Sequence, residues 1–105
     1  MTEPRYKTLI EYAYEGVYEN LLESICRIMG VTVDEVKSGS HKRIYVEPRM
    51  IYFKLAHEFY PYNVSMMGRV ANRSHSVAFN SPAVVDDVRE LRDKYEWVKQ
   101  TLFKI

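Results

Sequence analysis

The stretch NVSMMGRVANRSHSVAFNSP, residues 63–82, decides how this chain is read. Asn63 can cap a short helix that carries Val64, Met67 and Val70 along one side. Ala71-Asn72-Arg73 reads as a tight turn, and Ser74 can cap a second helix beginning His75-Ser76-Val77-Ala78-Phe79-Asn80. Two short helices joined by a tight turn have helix-turn-helix proportions. In that arrangement the first residues of the second helix reach base edges in the major groove, while its cap and flanking bases hold phosphates. Arg73, Ser74, His75 and Ser76 place a guanidinium, two hydroxyls and an imidazole at that end, ahead of apolar Val77, Ala78 and Phe79. An ordinary helix start with a polar cap is the competing reading, because many helical hairpins share this spacing.

Upstream, residues 6–29 form one amphipathic helix by pattern. Leu9, Ala13, Val17, Leu21, Ile25 and Ile28 follow a three-to-four-residue period. Glu11, Glu15, Glu19 and Glu23 make an acidic stripe, either a solvated face or a docking surface for a basic partner. Tyr6, Tyr12, Tyr14 and Tyr18 suit the half-buried rim of a core or an interface. Gly30 is a good helix stop. Thr32 and Glu35 fit a capping box for a short helix over Val33–Lys37, and Ser38-Gly39-Ser40-His41-Lys42-Arg43 reads as a basic loop. A further helix is expected to open near Pro48 and to turn Ile51, Leu55, Ala56 and Phe59 to the core, until Tyr60-Pro61-Tyr62 breaks it. Downstream, Pro82 should either kink the second helix or stop it, with Ser81 capping a new segment through Val84, Val85, Val88 and Leu91. A terminal helix over 93–105 adds Tyr95, Val98, Leu102 and Phe103, with Trp97 as a core or half-exposed anchor. The expected fold is all-α, a small multi-helix bundle containing a helix-turn-helix, Trp-repressor-like. It is a single domain over 1–105, with a core at 31–92 between the first helix and the last.

The bulk numbers agree with this. The chain has 105 residues, 47% hydrophobic and 28% charged, a normal globular balance for one domain. Its net charge of +1 hides an uneven distribution. Residues 1–36 hold seven acids and three bases, and residues 77–105 hold five of each. Residues 37–76 hold Lys37, Lys42, Arg43, Arg49, Lys54, Arg69 and Arg73 against only Glu47 and Glu58. All three histidines lie there too. Such concentration is the electrostatic footprint of a polyanion binder, or a surface that is merely basic and solvated. Cys26 is the sole cysteine and sits among Ile25, Ile28 and Met29, which points to core packing and excludes an internal disulfide. No Cys/His cluster has zinc spacing, and no apolar run approaches a membrane span. No signal pattern opens the chain, so a cytoplasmic, nucleoid-associated location is expected. No catalytic site, metal or cofactor is expected. Ser74, His75 and Ser76 are neighbours on a helix, about 100° apart, and cannot form a triad.

From about Leu21 to Leu91 the chain resembles the C-terminal DNA-binding domain of the bacterial chromosomal replication initiator DnaA. The resemblance runs through the capped Val33 helix, the Ser-and-basic loop, Pro48-Arg49 with Leu55-Ala56-x-Glu58, Met67-Gly68, and Arg73-Ser74-His75-Ser76. It implies that His41, Lys42 and Arg43 enter a minor groove and that Arg49 touches DNA backbone and bases. It also implies that His57 stands where a lysine meets phosphate and that Arg73, Ser74, His75, Ser76 and Val77 form the recognition helix; a module of this kind is expected to grip phosphates with Lys42, Arg43, Arg49 and Arg69. The chain departs from the family pattern at several places. Ser74 stands for aspartate, Ser76 and Val77 for threonines, Glu47 for a basic residue, and the turn before Arg73 is one residue shorter. Pro82 interrupts a helix that the family continues. No GxxxxGK[ST] phosphate loop exists here, so the chain is expected to bind, recruit, compete for or bend a duplex site rather than melt it. The alternatives are a transcriptional regulator, or a protein-interaction module that kept the fold, its partner held through the first helix.

Overall fold

Apolar spacing and local caps build the helices one at a time. The computed structural model describes residues 9–60 and 63–104, and of residues 9–14 the backbone alone. The expected helix start at residue 6, Tyr6 and the break at Pro61-Tyr62 therefore lie outside the described residues, as do the side chains of Glu11, Tyr12 and Tyr14. The first helix, α1, spans Leu9–Met29. It stops where Gly30 takes φ +75 and the Val31 N–H reaches back to the Cys26 carbonyl at 3.0 Å. Thr32 and Glu35 then close a reciprocal capping box on α2, Val33–Lys37, as their spacing predicts.

The third helix, α3, spans Arg43–Phe59 and so begins five residues before the expected start. Pro48 lies inside it, one turn past the start. A proline there removes the N–H that would meet the Ile44 carbonyl. Ile44 is exposed in the first turn, so water can take that carbonyl and a single lost bond does not end the helix. The fourth helix, α4, spans Val64–Val70, with the Asn63 side chain accepting from the Met66 N–H at 3.1 Å. The fifth, α5, runs unbroken through Pro82 over His75–Asp87. The sixth, α6, spans Arg89–Leu102 and starts four residues before the expected segment. Val88 ends α5 and caps α6.

The described residues hold six helices and no strand, so the chain is a small all-α bundle. Its core joins Leu22 and Ile25 of α1, Tyr52 and Phe53 of α3, Met67 of α4, Val85 of α5 and Tyr95 of α6. Each large side chain so buried contributes on the order of 1.5–3 kcal/mol. Phe59, expected in this core, is half exposed at the end of α3 and packs its ring 5.0 Å from Phe103 instead. Cys26 is buried, and burial, with help from Glu23 and Glu35, pushes its thiol up to about 11, as suits a packing group. No described helix is long and apolar enough to cross a membrane.

Candidate nucleic-acid interface

The connection between α4 and α5 is set by two backbone requirements. Asn72 takes φ 58, the left-handed region that Asn tolerates better than most residues. This lets the Arg73 N–H turn back to the Gly68 carbonyl at 2.7 Å. The turn lies so close on α4 that a Cβ at Gly68 would stand 2.7 Å from the Arg73 carbonyl oxygen and 3.2 Å from that of Ser74. Only glycine fits there without displacing backbone. From below, the buried Tyr52 hydroxyl donates to the Met67 carbonyl at 3.0 Å and holds α4 on α3. Ser74 then caps α5, its hydroxyl accepting from the Val77 N–H at 3.3 Å.

The same turn is bound to the loop between α2 and α3. Asn72 donates its side-chain amide to the Lys37 carbonyl at 3.2 Å. Arg73 donates to the carbonyls of Lys37 and Ser38 and to that of Asn72. Arg49 meets the same segment from the other side: its guanidinium donates twice to the Val36 carbonyl of α2, at 3.0 and 2.7 Å, and reaches the loop carbonyls of Ser38 and Ser40 at 3.5 Å. Only 5% of Arg49 is exposed. The direct DNA contact expected of Arg49 is therefore replaced by a positioning role, because its donors face inward onto backbone. Burial, and next the charge of Arg73, lower its pKa to about 10, so it stays protonated at neutral pH. Two cations thus share one set of carbonyls with no carboxylate between them, which leaves this corner positive.

Ion pairing divides the basic residues of 37–76 into two groups. Arg43 pairs with Glu47 at 2.8 Å and with Glu90 of α6, and Lys54 pairs with Glu58 at 2.9 Å and Asp86 at 2.8 Å. Arg43, expected to enter a groove, is thereby occupied by carboxylates. Glu47 also takes Lys94 of α6 at 2.6 Å, so this acid joins α3 to α6. Lys37, Lys42, Arg49, Arg69 and Arg73 have no carboxylate partner among the described residues. Ser65, Arg69, Asn72, Arg73, Ser74 and Val77 line an open concavity of about 550 Å³ beside the start of α5. His41 and Lys42 are exposed at the loop's far end.

On α5, Ala78, Ser81 and Val85 are buried and define the inner side. His75, Ser76, Phe79 and Asn80 are exposed. The His75 and Phe79 rings are stacked, their centroids 6.3 Å apart and their planes 8° from parallel. Phe79 and Asn80 were legible in helical phase, four residues on from His75 and Ser76, but Phe79 reads as core when it follows Val77 and Ala78 in sequence. His57 does not stand out towards a phosphate. Its Nε2 lies 3.1 Å from the Ala78 carbonyl. That carbonyl is the one Pro82 leaves without a helical donor, so His57 supplies the missing hydrogen bond and α5 passes its proline intact.

No protein-family model matches this chain. It is 25% identical, over 83 residues, to the chromosomal replication initiator protein DnaA of Desulfatibacillum aliphaticivorans. The match takes in 79% of this chain, which spans 18% of that relative's length. The chain is thus similar to one segment of a replication initiator. Among the described residues no group of three His, Cys, Asp or Glu is placed to hold a metal ion.

Proposed function

We propose that this chain is a double-stranded DNA-binding module of helix-turn-helix type, related to the duplex-reading part of a replication initiator and without catalytic activity of its own. One observation carries this reading. Arg49, Asn72 and Arg73 bind the basic loop to the turn before α5, so two DNA-facing pieces form one surface, and the cations there lack carboxylate partners. A loop and a helix start held in register can enter adjacent grooves together. Lys42 and Arg69 would hold phosphates, while Arg73, His75 and Ser76 would meet bases. Ser74 is committed to capping, and Val77 lies towards the concavity beside Arg69. Similarity to a segment of an initiator supports a part in replication, and action as a transcriptional regulator uses the same surface. Work on nucleoid DNA in the cytoplasm follows from this function.

The test is a fluorescence-anisotropy titration with a random duplex and with a duplex carrying the initiator-box sequence, each at several salt concentrations. We expect preference for the box and a log–log salt slope of about −2, from two phosphate contacts at Lys42 and Arg69. No binding to either duplex would end the proposal. The second reading is a protein contact through α1, favoured by the exposed Glu19 and Glu23. Glu23 is already partly occupied by Arg27 at 3.3 Å. Reversing the charge at Glu19 without effect on any partner would remove that reading.

A further inference from the structure

We propose that Phe79 and Asn80 form a base-reading subsite of their own, specific for A·T pairs in the major groove, one turn beyond His75 and Ser76. The inference rests on the DNA-binding reading and deepens it. Side chains on a helix advance by about 100° per residue. With Ala78, Ser81 and Val85 inward, the outward side of α5 is Ser76, Phe79, Asn80 and Ala83. The hydroxyls nearer the body of the protein are spoken for: Ser74 caps the helix, and Ser81 donates to the Val77 carbonyl at 2.6 Å. The outward groups are not. Neither the Ser76 hydroxyl nor the Asn80 carboxamide bonds to any described residue.

Phe79 is 56% exposed in the middle of a helix whose inner face is well filled. Its ring lies stacked against that of His75. Such a surface calls for an apolar partner, and the apolar group that a base pair presents in the major groove is the thymine C5-methyl. Beside it, Asn80 offers one donor and one acceptor, the pattern that matches adenine N6 and N7. Ala83 is small enough to let the groove floor approach at the next turn. Asp87, which no described cation pairs, then repels phosphates and marks where contact ends. No acid stands between His75 and Val85, while Arg69 and Arg73 flank the helix start, so the charge pattern favours a polyanion over an apolar protein surface.

The experiment selects bound duplexes from a random library with the parent protein, Phe79→Ala and Asn80→Ala. It then repeats binding with single-atom analogues in the selected site. The parent should select a motif with at least one fixed A·T pair. Asn80→Ala should lose about tenfold or more of the preference there, in line with the energy of one bidentate contact. Replacing the contacted thymine by deoxyuridine, which lacks only the methyl, should weaken the parent several-fold and leave Phe79→Ala unmoved. Replacing the adenine by its 7-deaza analogue should weaken the parent and not Asn80→Ala. A parent that selects a motif which both variants select unchanged, and which ignores both analogues, overturns this inference and leaves DNA binding standing. A parent that binds no duplex overturns both. An unchanged motif with altered self-association of Phe79→Ala by sedimentation would reassign Phe79 to a protein contact.

Discussion

His57 and Pro82 are coupled through a single carbonyl. Pro82 strips Ala78 of its helical donor, and His57 restores one from α3 at 3.1 Å, which requires the proton on Nε2. His57→Ala should therefore cost about 1–3 kcal/mol in urea unfolding, the usual penalty for a part-buried acceptor left unmet. In a Pro82→Ala background, where the substituted residue brings back the missing N–H, the same change should cost clearly less. Equal costs in both backgrounds would dissociate the pair. Arg73 and Lys42 differ in the kind of contact each can make. Arg73→Ala should lower affinity for the best site by about 1–3 kcal/mol and relax specificity, and Lys42→Ala should weaken every duplex alike. Competition titrations against random DNA separate the two. Arg73 must trade bonds to the loop carbonyls for bonds to a base, so its net contribution belongs at the low end of that range.

The α4–α5 pair depends on an approach that only Gly68 permits. A methyl at that position would press on the Arg73 carbonyl 2.7 Å away, a backbone atom that cannot swing aside. Gly68→Ala should destabilise the fold by about 1–3 kcal/mol and lower DNA affinity further still, because shifting Arg73 loosens the loop it holds. Thermal melts read together with anisotropy titrations check both effects. A variant with parental stability and affinity would mean that the turn can relax at no cost. The orientation of α5 was partly legible beforehand. The polar start at Ser74 to Ser76 was plain, but which side faces out depended on Ala78, Ser81 and Val85 being buried in the bundle. Val77 and Phe79, alike in the sequence, diverge for that reason: one borders the concavity and the other stands on the outer side.

Across the whole molecule, carboxylate pairs join α6 to the rest of the bundle. Glu47 is buried, which by itself raises its pKa, but Lys94 and Arg43 together outweigh burial and hold it below the ordinary 4.5. Glu58 behaves alike, burial being opposed by the Tyr95 hydroxyl and Lys54. Carboxylates depressed in the folded state stabilise it fully above their ordinary pKa, and that stability is lost as pH falls through the lowered value. The melting temperature should thus be flat from neutral pH downwards and fall once pH drops below about 4.5. Glu47→Gln should be less stable at neutral pH and should show a shallower acid limb in a melting series. An unchanged limb would place the acid sensitivity elsewhere.

Signals acting within about five residues were determined by the sequence alone. The Thr32–Glu35 box placed α2, Gly30 ended α1, Asn63 and Ser74 capped α4 and α5, and the apolar period indicated an all-helical bundle. Each is a contact between near neighbours, so the chain carries both partners side by side. The tertiary structure alone decided the partners of long side chains. Arg43 finds Glu90 47 positions away, Arg49 turns inward onto the Val36 carbonyl, and His57 reaches the Ala78 carbonyl 21 positions along. A flexible cation can satisfy a phosphate, a carboxylate or a bare carbonyl equally well by type. Which one it meets depends on how the helices pack, and no local pattern encodes that.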